Sequence, residues 1–119
     1  MTWYAAHLIQ YFQLRDEPQD HYKAWENIVL IQADSTEEAF KMARAIGTER
    51  FGDIDDTLRL DDKPAKSVFG GVRKLVDCED KDLHPGHGTE VTYFEFELDS
   101  EEGLKQLIDG ETVTVEYEE

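Results

Sequence analysis

Residues 33–47, ADSTEEAFKMARAIG, carry the strongest local structural signal in the chain. Ser35 and Glu38 have the spacing of a capping box, and acidic residues in the first turn favour the positive end of a helix. Ala39, Ala43 and Ile46 fall on one face, as in a helix that packs against a sheet. Gly47 can adopt the left-handed conformation that ends a helix. We therefore predict a helix over residues 36–46 that covers a β-sheet.

Two strand patterns precede this helix. In residues 3–14, WYAAHLIQYFQL, apolar side chains alternate with a period of two, which predicts a strand. Residues 22–33, YKAWENIVLIQA, contain an apolar run over positions 28–31 on both faces, which predicts a strand in the centre of its sheet. The short polar connection between them favours an antiparallel hairpin.

The second half of the chain returns to a period of two. A short strand at Leu58 and Leu60 precedes the turn DDKP, and residues 66–78 predict a longer strand with a β-bulge at Gly70 and Gly71. Residues 89–99, TEVTYFEFELD, are expected to be its partner strand. Ser100 can cap a short helix that buries Leu104, Leu107 and Ile108, and a last strand follows.

These elements predict one α+β domain over residues 1–119, with a mostly antiparallel sheet and the order β-β-α-β-β-β-α-β. The ordered segments WYAAHLIQYF, WENIVLIQADSTEEAFKMARAIG, FGGVRKLVD and GTEVTYF resemble the bacterial family of domain of unknown function 4288. The resemblance covers roughly residues 1–98, while residues 99–119 form a C-terminal helix and strand beyond it. It implies this architecture and a bacterial cytoplasmic setting, with no activity attached. His87 stands where the family pattern has an Asp.

The net charge of −16 limits the partners of such a chain. Residues 76–119 contain fifteen acidic and two basic residues and carry −13 of it. Nucleic acids and anionic lipids repel a surface this acidic, whereas a basic protein is attracted to it. No segment has the length and hydropathy of a membrane span, and the single cysteine, Cys78, is consistent with a cytoplasmic location.

The segment 78–90, CEDKDLHPGHGTE, is the best sequence candidate for a reactive site. Cys78, His84 and His87 offer three possible metal ligands, but a structural zinc site needs four, and none of the usual paired spacings is present. We therefore interpret the segment as a polar turn and expect neither a bound metal nor another cofactor. A metal-dependent hydrolase that uses His84 and His87 is retained as an alternative.

Aromatic residues beside polar ones suggest contact surfaces. Tryptophan and tyrosine are common anchors of protein interfaces, although core packing is the simpler explanation of the same residues. The predicted binding residues are Trp3, Tyr4, Trp25, Glu26, Thr89 and Glu90, with no catalytic residue assigned.

The function predicted from these features is a non-enzymatic protein-interaction module. Unpaired strand edges in a small sheet favour a homodimer. The acidic surface also favours an antitoxin or immunity-type inhibitor of a basic protein as a second hypothesis.

Overall fold

A computed structural model of the chain describes residues 1–53, 57–78 and 85–118. The predicted order of strands and helices is confirmed, and so is the mostly antiparallel α+β class. The elements are β1 (Thr2–Leu14), β2 (Ala24–Ala33), α1 (Thr36–Phe51), β3 (Arg59–Leu60), β4 (Lys63–Asp77), β5 (Glu95–Glu97), α2 (Glu101–Ile108) and β6 (Glu116–Glu118).

The main sheet has four strands in the order β2-β1-β4-β3. The predicted hairpin of β1 and β2 is confirmed, with Tyr4 opposite Ile31 and Gln10 opposite Trp25. The prediction that β2 is central is wrong, because β1 lies between β2 and β4 and β2 forms one edge. Its apolar run reflects burial of Val29 and Ile31 on one face, while Ile28 and Leu30 on the other stay 36% and 40% exposed.

One face of this sheet, the helix face, packs against α1. Tyr4, Ala6 and Leu8 of β1 form the core there with Ala39 and Ala43 of α1, all of them buried. The apolar face of β1 thus packs against the apolar stripe of α1, as predicted.

The helix continues one turn beyond its predicted end. Gly47 lies inside α1 and is buried, and the helix ends at Gly52 instead. A Cβ on Gly47 would lie 2.3 Å from the Phe69 ring, so the glycine allows close approach of helix and sheet. Helix-ending and close-packing glycines look alike in a sequence.

The predicted bulge in β4 is confirmed. Its pairing with β1 shifts between Ile9 and Gln10, where Gly70 is the extra residue, and also between His7 and Leu8, where Arg73 is the extra residue. Gly71 has a φ of +136°, a conformation that other residues rarely adopt. The bulges twist β4 and redirect its side chains.

The opposite side of the sheet, the ribbon face, is contacted by residues from the C-terminal part of the chain. Strands β5 and β6 form a separate two-stranded sheet, the C-terminal ribbon, with Phe96 opposite Tyr117. The prediction that residues 89–99 pair with residues 66–78 is therefore wrong. Their apolar side chains pack across the face instead, as Phe94 does on His7 at a ring distance of 5.5 Å.

Helix α2 is capped by Ser100, whose hydroxyl accepts a hydrogen bond from the Gly103 amide at 3.0 Å. The expectation that its leucines and isoleucine all face inward is wrong, because Leu104 is 45% and Ile108 72% exposed. Gly103 is the buried residue of this helix, close to Leu98 and Val113.

The chain is less compact than its length suggests. Its radius of gyration is 17.2 Å, against about 13.5 Å for a typical domain of this size. Neither described helix is long and apolar enough to cross a membrane. The open shape leaves sheet surface uncovered.

Candidate functional site

A buried histidine joins the main sheet to the C-terminal part of the chain. His7, on the ribbon face of β1, has no exposed surface. Its Nδ1 lies 2.6 Å from Oε2 of Glu26, and its Nε2 lies 2.5 Å from Oγ1 of Thr92. Because an ionised carboxylate only accepts hydrogen bonds, Nδ1 donates to Glu26. Nε2 forms the second hydrogen bond of the ring, with the Thr92 hydroxyl.

Glu26 is held by a second group of contacts. The Tyr117 hydroxyl donates to Oε1 of Glu26 at 2.7 Å, and Nε of Arg73 lies 4.0 Å from the same oxygen. The Arg73 guanidinium also lies over the Tyr117 ring, 4.2 Å from its centre. Four segments, β1, β2, β4 and the C-terminal part, therefore meet at one carboxylate. We call His7, Glu26, Arg73, Thr92 and Tyr117 the histidine network.

The network keeps Glu26 ionised. Burial raises the pKa of this carboxyl group, but hydrogen bonds from Tyr117 and His7, with the charges of His7 and Arg73, outweigh it. The pKa of Glu26 consequently lies below its ordinary value.

The carboxylate, imidazole and hydroxyl lie in the order found in hydrolase triads, but access is lacking. A catalytic base must reach the proton it removes. Both ring nitrogens of His7 are hydrogen-bonded, as they are in a triad, but the ring has no surface exposed to a substrate. The contacts of the network connect the sheet to the C-terminal segment.

The lowered pKa of Glu26 predicts a pH dependence. The stability that ionised Glu26 contributes is fully present at pH values above its pKa in the unfolded chain. This contribution is lost as the pH falls through the lower pKa of the folded state. Replacing Glu26 by Gln should make the variant less stable than the wild type at neutral pH, with the difference shrinking below the ordinary glutamate pKa. Urea unfolding of both proteins between neutral and acidic pH measures it. A difference that grows on acidification contradicts this assignment.

The predicted aromatic residues lie in different environments. Tyr4 is 5% exposed in the core, and Trp3 is half-buried with its carbonyl accepting from the Cys78 amide. Trp25 is 36% exposed and rests on Phe12 at a ring distance of 4.8 Å. Trp3 pairs with Gln32, and Trp25 pairs with Gln10 at the other end of the hairpin. The two tryptophans thus belong to different sites, and Glu26 alone of this group enters the histidine network.

Thr89 and Glu90 are exposed in the turn that follows Pro85. The Thr89 hydroxyl accepts from the Gly86 amide at 2.9 Å, and the Thr89 amide donates to the Gly86 carbonyl. These bonds close the turn and leave the Glu90 side chain in solvent.

Cys78 and His87 of the candidate reactive segment lie in different environments. Cys78 is buried beside Trp3, and burial, followed by the nearby Asp77 carboxylate, raises the pKa of its thiol. A raised pKa makes it a poor nucleophile. His87 is exposed, and His84 lies outside the described residues. Within the described ranges, no group of three or more His, Cys, Asp or Glu side chains is placed to hold a metal ion.

The C-terminal ribbon concentrates negative charge. Glu95 lies opposite Glu118, and Glu97 lies opposite Glu116. A hydrogen bond with Glu97, together with its charge and those of neighbouring glutamates, raises the pKa of Glu118. The ribbon thus presents four carboxylates that repel one another.

The open edge of β2 is the second candidate surface. Among residues 1–53, 57–78 and 85–118, β2 pairs with β1 alone. Glu26 is its one ionisable side chain, and that carboxylate is engaged by His7 and Tyr117. Ile28 and Leu30 project beside the edge and are more than a third exposed. This edge therefore lacks the charges, prolines and bulges that usually prevent strand pairing.

Sequence reasoning identified Glu26 but missed the other members of the histidine network. A signal for His7 was present: it occupies a strand position flanked by Ala6 and Leu8, where an unpaired polar ring is costly to bury. Thr92 lies 85 positions from its partner His7, and Tyr117 lies 91 positions from its partner Glu26; no local pattern connects residues so distant.

A family model described as "Domain of unknown function (DUF4288)" matches residues 3–92. The match includes His7, Glu26, Arg73 and Thr92, together with all of β2. Tyr117 and the C-terminal ribbon lie beyond it. No curated protein and no solved structure matches the chain.

Proposed function

The chain belongs to the family of domain of unknown function 4288, and from its geometry we propose that it is a non-enzymatic protein-interaction module that binds through the open edge of β2. The proposal includes a bacterial cytoplasmic setting, where the buried thiol of Cys78 stays reduced.

The observation that carries the proposal is the composition of the β2 edge. Every second residue of an edge strand directs its N–H and C=O groups away from its one neighbour. Over the ten residues of β2, this leaves a continuous row of hydrogen-bonding groups flanked by Ile28 and Leu30. Proteins that add a strand to a sheet edge gain affinity from the backbone bonds and specificity from such side chains.

The histidine network supports this function indirectly. Hydrogen bonds from His7 and Tyr117 hold Glu26 of β2 in place, while the outer edge of the strand stays open. A rigid strand loses little conformational entropy when it binds. The hydrolase alternative would use His87, which is exposed, and His84, which lies outside the described residues.

The acidic ribbon favours a second function, inhibition of a basic protein. Its four glutamates repel one another, and the raised pKa of Glu118 reflects this repulsion. A basic surface placed against them relieves the repulsion and gains a favourable field that salt weakens. An antitoxin or immunity-type inhibitor of a basic protein needs an acidic surface of this kind.

One experiment distinguishes the two surfaces. The tagged chain is compared with two variants in native lysate, one carrying Leu30→Lys and one with glutamine at positions 95, 97, 116 and 118. We expect a protein that binds the wild type to be lost with Leu30→Lys and retained at high salt. A protein lost with the glutamine variant and at high salt supports the inhibitor function. Equal recovery with all three chains contradicts both proposals.

A further inference from the structure

The sequence of β2 is complementary to itself. We propose that a second copy of this chain pairs its β2 with this one in antiparallel orientation and joins the two sheets into one of eight strands. The proposal rests on the interaction function above and names the partner. The combined order is β3-β4-β1-β2 followed by β2-β1-β4-β3 of the second copy.

Symmetry restricts the possible registers. Two identical strands that continue one sheet are related by a two-fold axis normal to it, and residues opposite each other then point to the same face. Side chains alternate between faces, so the numbers of two opposed residues must add up to an even number. In β2, Glu26, Ile28 and Leu30 share the ribbon face, and Val29 and Ile31 share the helix face.

Two even registers overlap the strand best. One centres on Ile28 and places Glu26 opposite Leu30 of the second copy. The other centres on Val29 and places Ile28 opposite Leu30 and Glu26 opposite Gln32. Each pairs nine of the ten residues of β2 with the other strand.

Chemistry selects the register centred on Val29. In this register Ile28 of each copy lies opposite Leu30 of the other. These four exposed apolar side chains are therefore covered together. Glu26 lies opposite Gln32 of the second copy, whose side-chain amide can donate a hydrogen bond to the Glu26 carboxylate. The alternative register places that carboxylate against Leu30, which adds desolvation without a hydrogen bond. No two like charges are opposed in the selected register.

The surroundings of the edge permit this arrangement. The histidine network holds the Glu26 side chain by contacts from its own chain, with 13% of it exposed. A second copy supplies a matching strand with no other partner required.

Light scattering tests the association, with Ile28→Lys as the disrupting variant and Ile108→Lys as its control. Ile108 is 72% exposed on α2, so the same substitution adds the same charge away from the sheet. We expect the wild type and Ile108→Lys to form dimers and Ile28→Lys to be monomeric with unchanged circular dichroism. A wild-type monomer up to high micromolar concentration, or dimers in all three, contradicts the proposal.

Disulfide cross-linking tests the register. In a Cys78→Ser background, chains carrying Ile28→Cys and chains carrying Leu30→Cys are oxidised separately and as a mixture. We expect the mixture to cross-link several-fold faster than either variant alone, because positions 28 and 30 are opposed. Fastest linkage of Ile28→Cys to itself overturns this register. A monomer that still captures another protein through Leu30 refutes the homodimer but not the interaction function.

Discussion

Replacing His7 by alanine is expected to lower the free energy of unfolding by about 3 kcal/mol, at the low end of the range for breaking a buried pair. The ring is fully buried, and its loss removes the Nδ1 bond to Glu26 and the Nε2 bond to Thr92. Glu26, with 13% of its side chain exposed, then loses one of its hydrogen-bond donors. Urea unfolding monitored by circular dichroism measures the loss.

The chain offers a matched control for this substitution. His21 also contacts a carboxylate, that of Asp20, but its side chain is 95% exposed. His21→Ala should change stability by no more than about 0.5 kcal/mol, because exposed ion pairs contribute little. Equal losses in the two variants would refute the structural role of the network.

A double-mutant cycle separates packing from hydrogen bonding. His7→Ala and Thr92→Val, made singly and together, should show a coupling energy of at least about 0.5 kcal/mol, as residues in direct contact do. Additive losses would mean that the bond between Nε2 and Oγ1 contributes nothing and that His7 stabilises the fold only by filling space beneath Phe94.

The second large effect is expected in the core beneath α1. Leu8 has no exposed surface and packs with Ala6, Ala39 and Ala43 on the helix face. Leu8→Ala should cost roughly 3 kcal/mol, because it removes apolar contacts and leaves a cavity between rigid elements. Thermal unfolding measured by calorimetry should show a correspondingly lower midpoint.

Leu104→Ala serves as the control for this change, since Leu104 is 45% exposed on α2. The free energy of unfolding should fall by about 0.5 kcal/mol in Leu104→Ala. A larger loss for Leu104 than for Leu8 would mean that stability resides in the C-terminal part of the chain and not in the sheet and α1.

Local patterns in the sequence predicted the elements that depend on neighbouring residues. The capping of α1 by Ser35, the stripe of Ala39 and Ala43, and the alternation of β1 all follow from spacings of two to four positions. The β1–β2 hairpin also follows, because its short connection leaves few other pairings. These predictions depend only on periodicity and turn chemistry.

The errors concern contacts between distant residues. The apolar run of β2 looks the same in the sequence whether its second face is covered by the rest of the chain or left for another molecule. Residues 89–99 alternate like a strand, yet the ribbon pairs Phe96 with Tyr117, twenty-one positions away. The sequence pattern around Gly47 predicts a helix end, whereas the glycine packs on Phe69 of β4, which is distant in the sequence.

The histidine network illustrates the same limit at the candidate site. Glu26 was selected as a contact residue because it follows Trp25, whereas its role comes from His7, Arg73 and Tyr117. The segment with the most conspicuous chemistry, residues 78–90, contains a buried thiol and an exposed turn. The buried polar group on an apolar strand was the more informative feature.

Hydrogen–deuterium exchange of the β2 amides tests the central claim that this edge is a binding surface. In dilute solution, the outward amides of residues 24–33 should exchange rapidly, whereas those of β1, which is paired on both sides, should be protected. At higher protein concentration, or with a bound partner, the β2 amides should become protected while β1 is unchanged. Rapid exchange of β2 at every concentration and with every bound protein would contradict the account.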